Sequence, residues 1–315
     1  MFSPIEKRKI WFSLSATLVV ISTVVFLLFG LKLGIDFTGG SLMELEFFVT
    51  APTNQKISEI FIPLEISQVT AQPVGDNSMI LRFKDVDEDN HQKILAAINQ
   101  ELQPTNPLED NESGTAFEEK IFEEKRFDSI GPSIGQELRR KTVWAIIIVL
   151  AAIIVYVAWA FRKVSKPIAS WKYGLIAVIT LFHDIIITVG IFVILGKIYG
   201  IEVNASFVAA LLTILGYSVN DTIVVFDRTR ENLIRHLGEE FEDIVQGSVR
   251  EVITRSINTS FTTLFVLLAI FIFGGSSVRD FILALIVGIS IGTYSSIFLA
   301  SPLLVAWEKL KLKKD

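Results

Sequence analysis

Two aspartates lie in stretches of the sequence that are otherwise apolar. Asp184 follows His183 within residues 173–195, and Asp221 lies within residues 206–226. A carboxylate at the centre of a membrane-spanning helix costs about 2.5 to 3.5 kcal/mol on insertion scales, so such a residue indicates a function. A buried carboxylate that water can reach is able to bind and release protons. The pattern favours a proton relay; for Asp184, a static bond to His183 or to a hydroxyl is the alternative.

A single arginine stands just before another apolar stretch, residues 257–273. Arg255 is expected at about the same depth in the membrane as Asp221, which lies toward the cytoplasmic end of its span. Because a nearby positive charge favours the ionised form of a carboxylate, a mobile Arg255 that faces Asp221 predicts a switch. Two other interpretations stay open: Arg255 pairs with Glu251 one helical turn earlier, or it only marks the cytoplasmic side of the membrane.

Long apolar segments must position these residues. The chain has 315 residues, of which 51% are hydrophobic, and a mean hydropathy of +0.52. The uncharged or nearly uncharged segments are residues 10–31, 143–161, 173–195, 206–226, 257–273 and 281–305. Each has roughly the ~20 residues that a helix needs to cross a bilayer. We therefore predict a polytopic α-helical membrane protein with six transmembrane helices, which excludes a water-soluble fold and a transmembrane β-barrel.

Basic residues indicate the orientation of these helices, because they are retained on the cytoplasmic side during insertion. They cluster before the first segment, after the second and the fourth, and after the sixth. The short loops on the opposite side carry only Lys197 and Arg279. Both termini are therefore predicted to be cytoplasmic. The first segment has no A-x-A-like site before Asp36, which favours a retained anchor over a cleaved signal peptide.

The segments divide the chain into four predicted parts. These are the N-terminus with the first helix (1–31), an external domain (32–142), a five-helix bundle (143–305) and a basic cytoplasmic tail (306–315). The external domain carries 11 basic and 20 acidic side chains. This acidic balance argues against nucleic acid as a ligand.

Alternating and amphipathic patterns predict the secondary structure of the external domain. The predicted strands are residues 41–49, 65–72, 79–84 and 120–130, and the predicted helices are residues 54–62 and 87–102. Pro73 and the polar residues after it predict a hairpin, and residues 104–114 a polar loop. The order β-α-β-β-α-β is that of a ferredoxin-like α+β domain. This fold hosts many unrelated functions and specifies none by itself.

The sequence offers no familiar ligand set for a metal or a cofactor. It contains 0 cysteines and 3 histidines, and the histidines form no HExxH pattern. Neither a phosphate-binding GxxxxGK[ST] loop nor a GxGxxG fingerprint is present. We expect no metal, no cofactor and no enzymatic reaction, so that another chain or a gradient supplies the energy.

Several motifs together resemble the SecF family of bacterial protein translocase subunits. They are GIDFTGG at residues 34–40, IGP with GQEL at 130–138, GYSVNDTIVVFDRTRE at 216–231, HD at 183–184, NTS at 258–260 and GISIGT at 288–293. The resemblance covers essentially the whole chain. The GIDFTGG and GYSVNDTIVVFDRTRE motifs are highly specific in combination.

The resemblance implies a set of partners and an energy source. A SecF-like chain pairs with SecD to give a twelve-span assembly related to the RND superfamily of transporters. The pair sits beside the SecYEG channel in the bacterial cytoplasmic membrane, with YajC as a further partner, and meets unfolded exported polypeptide. It uses the proton-motive force to promote export. The resemblance assigns the proton-carrying carboxylate to Asp221 and the coupled arginine to Arg255.

Further residues belong to family motifs or to a packing face. The resemblance points to Asp36, Gly39, Gly40 and Asn220 as motif residues, and we interpret the first three as a hinge between span and domain. For Asp36, a plain helix exit with a local hydrogen bond is the alternative.

The last span carries Gly288, Gly292 and Ser296 at intervals of four residues. This spacing predicts a smooth face for a helix of this chain or of SecD. Residues 227–255 are charged and amphipathic and predict one or two interfacial helices.

Two rival functions remain open at this point. One is half of an RND-type proton-coupled exporter of small molecules or lipids. The other is a passive scaffold that stabilises the translocase, in which Asp184 and Asp221 only hold helices together.

Overall fold

The computed structural model describes residues 4–48, 50–64, 66, 69–102, 121–161, 169–236 and 238–312. The chain forms two compact units, Met1–Lys32 with Thr142–Asp315, and Leu33–Lys141. The predicted loop at residues 104–114 and most of the basic loop after the second span lie outside the described residues.

Six helices of the described part are long and apolar enough to cross a membrane, so the prediction of six spans is confirmed. The crossings are α1 (Arg8–Phe29), α5 (Pro132–Ala160), α6 (Ser170–Tyr199), α7 (Ala205–Arg235), α8 (Phe241–Phe273) and α9 (Ser276–Ser295). The sixth crossing continues through a π-helical turn, Ser296–Ala300, into α10 (Ser301–Leu312).

The helices of the membrane unit differ in how much of their surface is buried. About half of the residues of α6, α7 and the sixth crossing are buried, whereas few residues of α1, α5 and α8 are buried within the chain. The inner helices carry the polar residues Asp184, Ser218, Asp221 and Ser295, which are all buried. Polar groups are costly in lipid, so they lie between helices rather than on the outer surface.

The charged segment at residues 227–255 does not form separate interfacial helices, and that prediction is wrong. Instead α7 continues to Arg235 and α8 begins at Phe241. Several apolar side chains of the segment pack onto neighbouring helices: Phe241, Ile244, Val245 and Val249 are buried, whereas Ile234 is exposed. An amphipathic pattern records that one face is buried, but not which surface buries it.

The second unit is an α+β domain with the predicted order β-α-β-β-α-β. After a short helix α2 (Ile35–Thr38), its elements are β1 (Gly40–Phe47), α3 (Asn54–Phe61), a 3₁₀ turn (Ile62–Leu64), β2 (Thr70–Val74), β3 (Ser78–Phe83), α4 (Glu88–Leu102) and β4 (Phe122–Ile130). The strand order is β2-β3-β1-β4, and the paired strands are antiparallel. This arrangement is compatible with a ferredoxin-like fold.

The core of this domain lies between the sheet and its two helices. Alternate residues of a strand point to the same face, and the apolar side chains of that face meet one stripe of each helix. The buried residues include Met43, Leu45 and Phe47 of β1, Leu81 and Phe83 of β3, Ile57 and Phe61 of α3, and Ile94 and Ile98 of α4.

The second strand begins about five residues later than predicted. We expected it at residues 65–72, with Pro73 in the following hairpin, but β2 begins at Thr70 and contains Pro73 opposite Met79. The order of the strands makes β2 an edge strand. Proline is tolerated there because its missing N–H can face away from the sheet.

Candidate functional site

Asp184 on α6 is a fully buried carboxylate that three side chains hold. Its Oδ1 lies 2.9 Å from Nδ1 of His183. Its Oδ2 accepts hydrogen bonds from Ser218 on α7 at 2.5 Å and from Ser295 on α9 at 2.8 Å. A buried polar group is stable only when it is hydrogen-bonded. This carboxylate therefore connects α6, α7 and α9 through hydrogen bonds that stabilise it in its buried position.

Asp221 on α7 has a different environment. It is 5% exposed, and the hydroxyls of Ser256 and Ser260 on α8 face its carboxylate together with the charge of Arg255. Its Oδ2 is buried and has no hydrogen-bond partner among the described residues. A buried acceptor without a donor costs about 1 to 3 kcal/mol. A proton bound at this oxygen, or a helix movement that brings a donor to it, removes that cost.

Arg255 is exposed at the surface of the chain, and its positive charge acts on Asp221. Glu251, the other acid considered for Arg255, accepts hydrogen bonds from Arg228 and, at 3.3 Å, from Asn232. Asp221 and Arg255 thus lie on the neighbouring helices α7 and α8, which pack against each other. Asp184 belongs to a separate cluster, one turn away along α7 through Ser218.

Glycines allow the sixth crossing to approach α7 closely. A Cβ atom at Gly292 would lie 2.9 Å from Cβ of Ser218, and one at Gly288 would lie 2.1 Å from Cδ1 of Ile214. Ser296 is buried at the first position of the π-helical turn. This face therefore contacts α7 of the same chain. π-Helical turns within α-helices often lie at functional sites.

The motif residues Asp36, Gly39 and Gly40 belong to the other unit. Gly39 and Gly40 have φ angles of +76° and +123°, which side chains rarely adopt. A Cβ atom at Gly39 would lie 2.8 Å from Cα of Pro132, and one at Gly40 would lie 2.9 Å from the carbonyl oxygen of Phe83. Only glycine fits both positions. Asp36 lies in the first turn of α2 and is half-buried.

Asn220 lies on the exposed side of α7. The hydroxyl groups that bind or face the two carboxylates were not among the predicted site residues; they are Ser218, Ser256, Ser260 and Ser295. A signal was present, since serines recur inside spans that are otherwise apolar. Their periodicity alone does not tell which of them face a carboxylate.

These features define a membrane protein of six crossings with two buried intramembrane carboxylates and one α+β domain between its first two spans. Two family models match the chain. The model described as Protein export membrane protein SecD/SecF, C-terminal, matches residues 111–310, and the SecD/SecF GG Motif matches residues 24–47. The chain belongs to the SecD/SecF family of protein export membrane proteins, and the resemblance inferred from its motifs is confirmed.

Individual relatives extend over nearly the whole chain. Protein translocase subunit SecF of Thermobaculum terrenum is 41% identical over 317 residues, which cover 98% of this chain and 94% of the relative. The subunit of the same name from Anaerolinea thermophila is 36% identical, with coverage of 98% and 94%.

Solved structures agree with this assignment. The crystal structure of SecDF from Thermus thermophilus, described as a translocon-associated membrane protein, superposes with a TM-score of 0.79 at 29% identity. It covers 98% of this chain, and this chain spans 39% of that longer chain. SecDF in its super-membrane-facing form gives a TM-score of 0.65.

Proposed function

We propose that this chain is the SecF-type subunit that acts with SecD to promote protein export by means of the proton-motive force. The observation that carries the proposal is Asp221: a buried carboxylate with an oxygen that has no donor in the described part of the chain, under the influence of the charge of Arg255 on the next helix. A group of this kind can bind a proton and, when it does, loses its attraction to the arginine. No enzymatic reaction, cofactor or nucleic acid enters this function.

Proton binding at Asp221 would change the contact between α7 and α8. The neutral acid no longer attracts Arg255, so helix arrangements that separate the two become more favourable. The free-energy difference between the helix arrangements changes by the amount by which the interaction of Asp221 with Arg255 differs between them. Asp184 is the second carboxylate of the proposed relay. Its bond from Ser218, one turn before Asp221, makes it sensitive to movement of α7.

An exposed polar stripe on α8 supports SecD as the partner. Arg255, Asn258, Thr259 and Thr262 follow one another at helical spacing and are exposed within this chain. Such a stripe is costly against lipid, so another membrane protein is expected to cover it. A SecD half would leave Arg255 between two chains. SecYEG, YajC and the unfolded exported polypeptide complete the proposed set of partners.

We propose a bacterial cytoplasmic membrane as the location, with both termini in the cytoplasm and the α+β domain outside. The lysines and arginines at the predicted inner ends of the spans support this orientation. Protons then enter from the side of the α+β domain, and protein leaves the cytoplasm in the opposite direction. In this orientation, the connection between the end of α6 and the start of α7 lies on the external side of the membrane.

The test replaces Asp221 with asparagine, which keeps the shape but cannot carry a proton. Membrane vesicles that contain the full chain, SecD and SecYEG are assayed for export with and without a proton-motive force. We expect Asp221→Asn to lose the part of export that depends on the proton-motive force. The matched control is Asp227→Asn, which alters an exposed aspartate of α7 that pairs with Arg230 at 2.6 Å. Asp227→Asn should behave like the parent.

A result in which Asp221→Asn assembles and responds to the proton-motive force like the parent contradicts the proposal. The chain would then act as a scaffold, with Asp221 only holding helices together. Recovery of the variant with SecD from the membrane is measured in parallel, so that loss of assembly is not mistaken for loss of proton coupling.

A further inference from the structure

Two hydroxyl groups connect the Asp221 site to α9. Ser260 on α8 faces the carboxylate of Asp221, and its Oγ lies 2.6 Å from Oγ1 of Thr293 on α9. Oγ1 of Thr293 in turn lies 2.8 Å from the carbonyl oxygen of Ile289, one turn earlier in the same helix. Ser260 is buried, with 2% of its surface exposed. The groups form a chain from α7 through α8 to α9.

The hydrogens of this chain can be counted, because each hydroxyl has a single one to donate. Thr293 donates its hydrogen to the carbonyl oxygen of Ile289. The contact between the two hydroxyls must therefore be donated by Ser260. Ser260 then offers only lone pairs to Asp221, and lone pairs do not bind an ionised carboxylate. With Ser260 donating to Thr293, the hydrogen bond that remains possible between Asp221 and Ser260 is one that a protonated Asp221 donates.

The chain can also run in the opposite direction. If Asp221 is ionised, Ser260 donates to the carboxylate, and Thr293 turns its hydrogen from Ile289 to Ser260. The carbonyl oxygen of Ile289 still accepts its helical N–H bond, so no backbone acceptor is left unpaired. Along Asp221, Ser260 and Thr293, each protonation state of Asp221 therefore has its own set of hydrogen bonds, and the two sets differ in direction.

We propose that Ser260 and Thr293 are positioning residues that transmit the protonation state of Asp221 to α9 by reversing the direction of their hydrogen bonds. This inference rests on the proposed function of Asp221 as the proton carrier. It adds a route by which the proton changes the packing of a helix that Asp221 does not belong to. Neither hydroxyl titrates; both only reorient.

The position of Thr293 makes this route consequential. Its neighbour Gly292 lies against Ser218 of α7, and Ser295, two residues later, donates to Asp184 at 2.8 Å. The same turn of α9 thus meets both carboxylate sites, and the π-helical turn begins directly after it. A reorientation at Thr293 would act in the turn of α9 that also carries Ser295, the donor to Asp184.

In the part of the chain that the structure describes, few other groups act on the carboxylate of Asp221. From α8 the charged group that faces it is Arg255, beside the hydroxyls of Ser256 and Ser260. From α6, Asp184 reaches α7 through Ser218. Along α9 the group in this chain is the hydroxyl of Thr293. The test must therefore change Thr293 and leave Arg255 and Asp184 intact.

The experiment replaces Thr293 with valine, which keeps the volume and removes the hydroxyl. In the neutral state of Asp221, the O–H of Ser260 then loses its acceptor on α9, whereas in the ionised state it still has the carboxylate. The ionised state is favoured, so export driven by the proton-motive force should need a more acidic outer solution. We expect the pH profile of export to move by about 0.7 pH unit to lower pH, the equivalent of one net hydrogen bond.

Two further variants complete the series. Thr293→Ser retains the hydroxyl and should restore the parental profile. Ser290→Ala removes an exposed hydroxyl of α9 that bonds only within its own helix, to the carbonyl oxygen of Ile286 at 2.7 Å, and should leave the profile unchanged. A Thr293→Val profile that superposes on the parent overturns the inference, even if Asp221→Asn is inactive. If Asp221→Asn is fully active, the proposed function fails instead.

A spectroscopic measurement covers the case in which Thr293→Val is not recovered in the membrane. Infrared difference spectra of the complete complex at acidic pH identify the carboxylic acid band that is lost in Asp221→Asn. Ser260→Ala, a small change at a buried position, should shift this band because the acid loses its acceptor. The absence of such a band in the parent, or a band that Ser260→Ala leaves unmoved, also overturns the inference.

Discussion

The replacement of Gly292 by alanine gives a direct test of the packing that surrounds Asp184. The added Cβ atom would lie 2.9 Å from Cβ, 3.2 Å from Oγ and 3.4 Å from Cα of Ser218. Carbon atoms pack at about 3.5 Å or more, so α9 and α7 must separate by at least about 0.6 Å, or Ser218 must rotate. Either response disturbs the bond that Ser218 donates to Asp184 at 2.5 Å.

The expected cost of Gly292→Ala combines three contributions. Overpacking costs about 1 to 3 kcal/mol, and loss of a hydrogen bond to a charged group costs about 1.5 to 3 kcal/mol if it breaks. Alanine offsets about 1 kcal/mol because it is a better helix former than glycine. If the hydrogen bond breaks, we therefore expect the free energy of unfolding to fall by about 1.5 to 5 kcal/mol.

The assay is unfolding of the full chain in detergent, followed by circular dichroism during heating and during titration with a denaturing detergent. The matched control is Gly216→Ala on α7, where an added Cβ atom would meet nothing within 4 Å. That variant should be unchanged or more stable by up to about 1 kcal/mol. If both variants unfold alike, the close contact between α9 and α7 does not support Asp184 in the way described.

Three further changes test other parts of the structure. Arg255→Gln should remove most of the export that depends on the proton-motive force, whereas Arg255→Lys should keep part of it, as measured in the same vesicles; equal effects would contradict a role for the charge. Gly39→Ala should destabilise the α+β unit by about 1 to 3 kcal/mol because of its positive φ angle, seen as faster hydrogen exchange in β1.

His91→Phe belongs to the same group of tests, since the ring nitrogens of His91 lie 3.1 Å from Glu88 and 2.8 Å from Glu124. Loss of these contacts should cost about 1 to 3 kcal/mol and speed hydrogen exchange in α4. The ring of His91 also stacks on Phe127, with centroids 3.8 Å apart. Unchanged exchange in His91→Phe would show that this stacking, and not the contacts with the two glutamates, stabilises the position.

Local patterns were sufficient to predict much of the fold. The six crossings follow from apolar length, since a helix must satisfy its own backbone hydrogen bonds wherever water is absent. The β-α-β-β-α-β order follows from alternation and helical periodicity in the α+β domain. The start of β2 was wrong by about five residues, because the edge position that tolerates Pro73 depends on strand order, which no local pattern encodes.

The continuation of α7 and α8 beyond the spans was missed for a related reason. A charged amphipathic segment has the same pattern whether its apolar face meets a membrane surface or another helix. Phe241 and Val245 are buried in the helix bundle, and only the packed structure distinguishes the two cases.

The sequence by itself determined that Asp184 and Asp221 would be buried and therefore functional candidates, because a carboxylate within a long apolar segment has no access to bulk water along its own helix. The apolar pattern did not distinguish between them; the resemblance of the motifs assigned the proton-carrying carboxylate to Asp221. The tertiary structure assigned three hydrogen bonds to Asp184 and left one oxygen of Asp221 without a donor among the described residues. Two of the donors to Asp184 are 34 and 111 residues away in sequence, so no local pattern could identify them. Which hydroxyl faces which carboxylate depends on how helices pack, and packing is decided by all of their side chains together.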